Sequence, residues 1–236
     1  MIGIDVETAG NNGGGALRPE DGRLRLVQIS DGKKVKVYDA FRQDKDLIRR
    51  AVEEQEDLVA HNAAFEREWL NAALALDRPD LHDTMIMSQV YYTGTRAALG
   101  KNFSHSLKSV VKRELKQELS KDEQTSDWGA MALTREQLEY AAEDARILPK
   151  LAETLLRKID RAGLREVYEL ELRVSHAVEA MHSRGVAVHR EKLEEITREA
   201  TEKAERLKAE LTEAWGINPG SSKQLTEKFK LDQRKG

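Results

Sequence analysis

Two short segments near the start of the chain alternate between apolar and polar residues, with a turn dipeptide between them. Residues 24–30 (LRLVQIS) and 34–39 (KVKVYD) repeat with a period of two, which is typical of strands. Asp31-Gly32 separates them, and this pair favours a tight hairpin turn. The sequence therefore predicts an antiparallel β-hairpin, which any fold for this chain has to contain.

Further apolar runs around this hairpin alternate with helical patterns. Buried strands are predicted at 2–6 (IGIDV), 58–61 (LVAH) and 81–85, with helices at 44–54 and 64–75. Residues 11–22 are polar and glycine-rich and predict a loop. From 104 onward the pattern is helical, with breaks at Gly163, Gly185 and the segment INPGSS. We therefore expect an α/β fold with a mixed sheet flanked by helices over 1–155, followed by a helical extension over 160–236.

The composition excludes several classes of protein. The chain has no cysteine, so it has neither disulfides nor thiolate metal ligands, and we expect a cytoplasmic location. It has no run of about 18 apolar residues, so no membrane span is expected. Because a strand is predicted almost at the first residue, we also expect no signal peptide. The formal net charge of -3 leaves nucleic-acid binding to the local charge pattern.

An acidic pair interrupts the first apolar run. Asp5 and Glu7 are two residues apart, so their side chains share one face of a strand. Two such carboxylates can hold a divalent ion, although the same pair is also common at solvated strand ends. Asp5 lies among apolar residues, where an unpaired charge is costly, and this favours the metal-binding interpretation.

Two further acidic positions lie on predicted helices. Glu66 falls one turn into the helix after LVAH, where Asn62 is expected to cap the helix and Glu66 to face the same side as Asp5. An ordinary cap with an acidic first turn is the alternative. Tyr140 and Asp144 are one helical turn apart and share a face, so the phenol could orient a metal-bound water beside the carboxylate. A core tyrosine beside a capping aspartate is the alternative there.

Candidate nucleic-acid contacts lie in two places. The basic stretch 101–119 contains Lys101, Lys108 and Lys112, which could contact phosphates, but interspersed glutamates also fit a solvated helix face. Phe65 and Met85 are candidates for stacking on bases, with at least one expected in the core. Two tryptophans are interpreted as core residues, Trp69 and Trp128.

In order along the chain, the motifs D-x-E at 5–7, H-N-A-x-F-E at 61–66, D-T-M at 83–85 and L-T-x-E-Q-L-x-Y-A-A-x-D at 133–144 resemble the DEDD exonuclease superfamily. KDEQTSDW at 121–128 completes the likeness to its tyrosine-bearing branch, which holds ribonuclease D and the proofreading domains of family-A DNA polymerases. The resemblance implies a ribonuclease H-like fold, two Mg²⁺ or Mn²⁺ ions and 3′→5′ removal of nucleotides from a single-stranded end.

The same resemblance implies roles for individual residues. Asp5, Glu7 and Asp144 would hold one ion, Asp5 and Glu66 the other, and Tyr140 would orient the attacking water. Apart from the resemblance, Asn62 and Phe65 are candidate contacts to the nucleic acid. The family usually has Asp at the position of Glu66, and the extra methylene moves the carboxylate by about 1.5 Å.

The second half of the chain resembles the segment that joins the exonuclease domain to the thumb of family-A polymerases. The likeness rests on residues 167–196 and on INPGSSKQLTEKF at 217–229. It implies a polymerase module as partner, in a longer chain or a separate subunit, and a nucleoid-associated location. The palm and fingers are absent from this sequence, so no polymerisation is expected. The leading expectation is hydrolysis of single-stranded DNA 3′ ends to nucleoside monophosphates; the alternatives are RNA 3′-end trimming and an inactive DNA-binding module.

Overall fold

Five strands form a mixed sheet in the computed structural model, which describes residues 1–11, 16–78, 80–94, 103–119 and 126–229. The strands lie in the order β3-β2-β1-β4-β5. β1 pairs antiparallel with β2 and parallel with β4, while β2–β3 is antiparallel and β4–β5 parallel. The strands are β1 Ile2–Gly10, β2 Gly22–Ser30, β3 Val35–Asp39, β4 Leu58–Ala60 and β5 His82–Asp83. This sheet flanked by helices confirms the predicted fold class.

The predicted hairpin is formed by β2 and β3. The Asp31 carboxylate accepts hydrogen bonds from the backbone N–H groups of Lys33 and Lys34, at 2.8 and 2.7 Å. Gly32 follows with a φ of 86°, a conformation in which a side chain would be strained. The turn dipeptide therefore fixes the register that pairs Ser30 with Val35.

Helices cover both faces of the sheet. On one face, α1 and α2 pack against apolar β1 residues such as Ile4 and Val6. On the other face α5 crosses β1, and Trp128 packs with Ala9. Trp69 and Trp128 are both buried in these cores, as predicted. The helices are α1 Lys45–Glu53, α2 Ala63–Leu74, α3 Thr84–Tyr92, α4 Leu107–Leu115, α5 Arg135–Arg161 and α6 Arg165–Arg184, with a short 3-10 helix at Pro19–Asp21.

The chain forms two compact units, Met1–Ser183 and Arg184–Gly236. In the second unit, α7 (Arg190–Trp215) ends at Gly216, which has a φ of 66°, and α8 (Ser222–Phe229) follows. The rings of Trp215 and Phe229 meet edge to face at 5.1 Å. Within the described residues, none of the helices has the length and apolar character to cross a membrane.

Candidate active site

Strand β1 carries two acidic side chains past the end of its parallel neighbour. β4 pairs with β1 only at Ile2 and Gly3, whereas β2 follows β1 along its whole length. Asp5 and Glu7 come after that pairing ends, and they lie on the face that α5 covers. The register with β2 shifts between Glu7 and Thr8, an irregularity that bends a strand locally. The sequence therefore places two carboxyl groups where no strand lies beside them on the β4 side and α5 covers their face.

A glycine allows helix α5 to approach β1 closely. A Cβ atom at Gly3 would lie 2.3 Å from the backbone oxygen of Ala145 and 3.1 Å from the Cβ of Leu148. Only a residue without a side chain fits this contact, which is a recognised use of glycine within a strand. Ala145 directly follows Asp144, so the contact at Gly3 also brings Asp144 to the acidic pair.

Tyr140 and Asp144 interact as their spacing predicts. The Tyr140 hydroxyl lies close enough to the Asp144 carboxylate to lower its pKa, while the Tyr140 ring lies 6.4 Å from that of buried Trp128. The helix beneath them starts with a capping box, in which Thr134 and Gln137 bond each other's backbone N–H groups. The first turns of α5 are therefore held by the capping box at the helix N-terminus and by the packing of Tyr140 beside Trp128 in the core.

Helix α2 brings the fourth carboxyl group. Glu66 is only 3% exposed, and its charge interacts with those of Asp5 and Glu7. The charge of Glu66 therefore acts on the acidic pair of β1, and we define the acidic cluster as Asp5, Glu7, Glu66 and Asp144.

The prediction that the Asn62 side chain caps α2 is wrong. Asn62 has a left-handed backbone with a φ of 71°, and its side chain makes no capping bond. The Asp83 carboxylate caps the helix instead, accepting from the backbone N–H groups of Asn62 and Ala63 at 3.1 and 2.9 Å. The same carboxylate accepts from Met85 and Ile86 and so also caps α3. Asp83 thus has a structural role beside the acidic cluster: it caps both helices.

Burial and mutual repulsion set the protonation of the acidic cluster. The pKa of Asp5 is well above its usual value, because of burial and then the charges of Glu7, Asp144 and Glu66. Burial, with a contribution from Asp144, raises the pKa of Glu7 to about 8. The pKa of Glu66 is also well above its usual value, mainly through burial. Burial raises the pKa of Asp144 to about 6 although the neighbouring Tyr140 hydroxyl opposes the change. Ionising all four groups therefore requires compensating positive charge.

The donor set suits a hard divalent cation. Carboxylate oxygens are the ligands that Mg²⁺ and Mn²⁺ prefer. The Glu66 Oε2 atom is buried, and within the described residues it has no hydrogen-bond partner. In the part of the chain that the structure describes, no three His, Asp or Glu side chains already surround a common point at which an ion could sit. The residues therefore fit a divalent cation, because they are carboxylates and one of their buried oxygens has no hydrogen-bond partner. To bind the ion, their side chains have to move toward a common point.

Both ring nitrogens of His61, the histidine at the end of β4, have partners within the protein. His61 contacts the Thr84 Oγ1 atom at 2.8 Å through Nδ1 and the backbone oxygen of His105 at 2.9 Å through Nε2. Burial lowers its pKa to about 4, so the ring is neutral near pH 7. His61 therefore adds no positive charge to balance the acidic cluster.

The predicted nucleic-acid contacts divide into two groups. Asn62 is exposed and Phe65 half-buried, and both line a cleft of about 920 Å³ between α2 and α6. The Phe65 ring also packs 6.2 Å from that of Trp69. Lys108 is half-buried, Lys112 is exposed and pairs with Glu118 at 2.7 Å, and Lys101 lies outside the described residues. The first group adjoins Glu66 along α2, so it is the better placed of the two beside the cluster.

Comparison with known proteins identifies the first unit. The model of the 3′-5′ exonuclease family matches residues 1–160. A DNA polymerase I of Aquifex aeolicus (strain VF5) is 28% identical, with a match covering 97% of this chain and 40% of the polymerase. A ribonuclease D of Serratia proteamaculans (strain 568) is 29% identical over 60% of this chain and 36% of its own length. This chain thus spans no more than two fifths of these relatives.

A solved structure of Brucella melitensis NrnC superposes with a TM-score of 0.63 at 26% identity, covering 78% of this chain and 85% of that one. NrnC has also been solved bound to pGG, with a TM-score of 0.63 at 25% identity over 80% and 89% of the two chains. A further NrnC structure with bound Mg²⁺ has a TM-score of 0.62 at 24% identity, over 80% and 90%. These likenesses agree with the family match and with the predicted resemblance. The chain belongs to the 3′-5′ exonuclease family.

Proposed function

We propose that this member of the 3′-5′ exonuclease family is a two-metal enzyme that removes nucleotides one at a time from the 3′ end of single-stranded DNA. The observation that carries the proposal is the acidic cluster, in which three separate elements contribute four carboxyl groups. A fold has little reason to bring four mutually repelling acids together, three of them half-buried and Glu66 buried, unless a cation or a proton neutralises them.

The reaction is hydrolysis of the terminal phosphodiester. A water oxygen attacks phosphorus, the bond from phosphorus to the 3′ oxygen of the preceding nucleotide breaks, and that oxygen takes a proton to become the new 3′ hydroxyl. The products are a nucleoside 5′-monophosphate and a strand shorter by one nucleotide.

The acidic cluster would hold the two divalent ions. In this assignment Asp5, Glu7 and Asp144 serve one ion, and Asp5 and Glu66 the other. Such ions, when bound, supply a hydroxide near neutral pH and stabilise the charge on the phosphate oxygens.

Tyr140 acts as an orienting hydrogen-bond donor. Burial and then the charges of Asp144, Glu7 and Asp5 raise its pKa above the usual value, so the phenol keeps its proton at neutral pH. It therefore cannot serve as a base. Its hydroxyl, which lies beside Asp144, can hold the attacking water in position at the edge of the acidic cluster.

RNA is the second candidate substrate. The ribonuclease D relative is matched over the nuclease segment, and NrnC was solved with pGG. The match to DNA polymerase I extends over 97% of this chain and so reaches the second unit, which supports DNA. We further propose that the segment 160–236 is thumb-like and connects the nuclease of 1–155 to a polymerase module, in the cytoplasm at the nucleoid.

A gel time course on matched 5′-labelled DNA and RNA single strands tests the function. With Mg²⁺ or Mn²⁺ we expect a ladder that shortens from the 3′ end on DNA, and no ladder with chelator. Asp5→Asn and Asp144→Asn should abolish it. Glu139→Gln is the matched control, because Glu139 lies on the same helix as Asp144 but is exposed. Faster shortening of RNA than DNA would reverse the substrate assignment.

A catalytically inactive DNA-binding module is the third candidate, since Glu66 departs from the usual aspartate. It predicts DNA binding with no ladder in either metal. Cleavage restored by Glu66→Asp in that case would show that the glutamate alone had removed the activity.

A further inference from the structure

We infer that helix α6, which lies beyond the matched 1–160 segment, positions Glu66 for metal binding through Tyr168 and Glu179. The inference rests on the proposed function, because it concerns the ion that Glu66 would help to hold. Two separate contacts from α6 act on α2: Tyr168 acts through Asp83, which caps the helix before Glu66, and Glu179 binds Arg67 directly after it. Neither Tyr168 nor Glu179 touches the reacting groups, so both are positioning residues.

The first contact fixes the strand end that caps α2. Tyr168 is fully buried, and its hydroxyl lies 3.0 Å from His82 Nδ1 and accepts the backbone N–H of Asp83 at 3.3 Å. The ring also stacks on that of His82, with centroids 6.0 Å apart. Tyr168 therefore holds β5, and with it the backbone of Asp83, against α6.

Asp83 transmits this position to Glu66. Its carboxylate accepts the backbone N–H groups of Asn62 and Ala63, which form the start of α2. Glu66 lies one turn later on the same helix. Since the N-terminal turn of a helix is otherwise free to fray, this cap sets the height and direction of the turn that carries Glu66.

The second contact fixes the rotation of α2. Arg67, the residue after Glu66, is 5% exposed. Its Nε donates to the Glu179 carboxylate at 2.8 Å, and its Nη2 donates both to that carboxylate and to Ser175 Oγ, the latter at 2.9 Å. Its Nη1 donates to the backbone oxygen of Leu81 at 3.3 Å. A guanidinium held by two helix α6 residues and a strand end permits little rotation of α2 about its axis.

This double attachment matters because Glu66 has to meet Asp5 against electrostatic repulsion. Without it, repulsion between the carboxyl groups of the acidic cluster favours a rotation of α2 that separates Glu66 from β1. An ion at the Glu66 position would then bind more weakly although every ligand is still present. Supporting residues around a metal site commonly change affinity by about 10–100-fold when mutated.

A titration of the full chain with Mn²⁺ tests the inference without depending on cleavage. The concentration of free Mn²⁺ is measured by electron paramagnetic resonance. Glu179→Gln and Tyr168→Phe should each weaken Mn²⁺ binding about tenfold. The Mn²⁺ concentration giving half-maximal cleavage should rise in parallel, while saturating Mn²⁺ restores most of the rate. Glu179→Asp should recover part of the affinity. Ser175→Ala, a milder change at the same contact, should weaken binding several-fold.

Two conservative variants serve as controls. Glu169→Gln lies on α6 at an exposed position, and Tyr38→Phe alters a half-buried tyrosine on β3; both should bind Mn²⁺ like the wild type. If the α6 variants lower thermal stability but keep wild-type Mn²⁺ binding, the two residues only support the fold and the inference is wrong. If the wild type binds Mn²⁺ without cleaving DNA or RNA, the proposed function fails, whereas the effect of α6 on Mn²⁺ affinity can still be measured.

Discussion

Replacing Glu7 by glutamine should stabilise the metal-free protein at pH 8 while it abolishes cleavage. The pKa of Glu7 is about 8 in the folded state, against 4.5 for a glutamate side chain in an unfolded chain. Between these two pH values the folded state binds more protons than the unfolded state. The free energy of unfolding therefore falls as the pH rises from about 4.5 to about 8, and the ionised carboxylate is the destabilising form.

The size of the effect follows from the shift in pKa. The difference between the folded and unfolded pKa values corresponds to roughly 5 kcal/mol when the group is fully ionised, and to about 4 kcal/mol at pH 8, where half of it is ionised. A buried amide in its place costs about 1–3 kcal/mol when its own hydrogen bonds are incomplete. We therefore expect Glu7→Gln to gain about 2 kcal/mol, or roughly 4–8 °C in Tm for a unit of this size.

Thermal unfolding in chelator at pH 5 and pH 8 measures this gain. The increase in Tm should be present at pH 8 and absent at pH 5, where Glu7 is already protonated in the folded state. Saturating Mn²⁺ should reverse the order, because the wild type then gains the free energy of metal binding. Glu139→Gln removes only an exposed ion pair with Arg135 and should change Tm little at both pH values. A Glu7→Gln protein that is less stable than the wild type in chelator at pH 8 would refute the electrostatic argument.

Three further changes probe the supports of the site. Gly3→Ala places a Cβ against the backbone oxygen of Ala145 and should lower the free energy of unfolding in urea by about 1–3 kcal/mol. The cleavage rate should fall at least tenfold, because Asp144 moves with α5. An unchanged rate would mean that α5 need not approach β1 so closely. Asp83→Ala removes the caps of two helices and should cost about 1–4 kcal/mol in the same assay, and a loss below 0.5 kcal/mol would contradict the capping role. Tyr140→Phe should slow single-turnover cleavage about 10–100-fold with Mn²⁺ affinity unchanged; a matching loss of affinity would instead make the phenol part of the ion's environment.

The sequence predicted the parts of the fold that depend on local pattern. The period-two segments and Asp31-Gly32 led to the hairpin, and the predicted helices at 44–54 and 64–75 each lie within one residue of α1 and α2. The acidic residues were found because Asp5 is anomalous in an apolar run and because the ordered motifs resemble a family. These residues come together in the structure because of the order of the strands in the sheet. No single motif carries information on that order.

The supporting contacts could not be predicted in the same way. Arg67 and Glu179 are 112 residues apart and look like ordinary charges on helical surfaces. Gly3 carries a weak signal, a glycine within an apolar strand, but its partner on α5 cannot be read from the sequence. Asp83 had a usable signal, since an aspartate between a strand and a helix is a typical N-cap. Asn62 was assigned the cap because its residue type fits, whereas its left-handed backbone turns the side chain away from that role.

These contacts explain how four repelling carboxyl groups can be held together before any cation binds. Repulsion favours separating β1, α2 and α5, and each helix is opposed by a different support: α5 by its close packing at Gly3, and α2 by Asp83 and Arg67. The energy stored in the cluster is then released when a divalent ion binds, so rigid supports increase metal affinity by preventing the apo protein from relaxing. Weakening a support should therefore lower metal affinity without raising apo stability, whereas removing a cluster carboxylate should raise apo stability and lower affinity together.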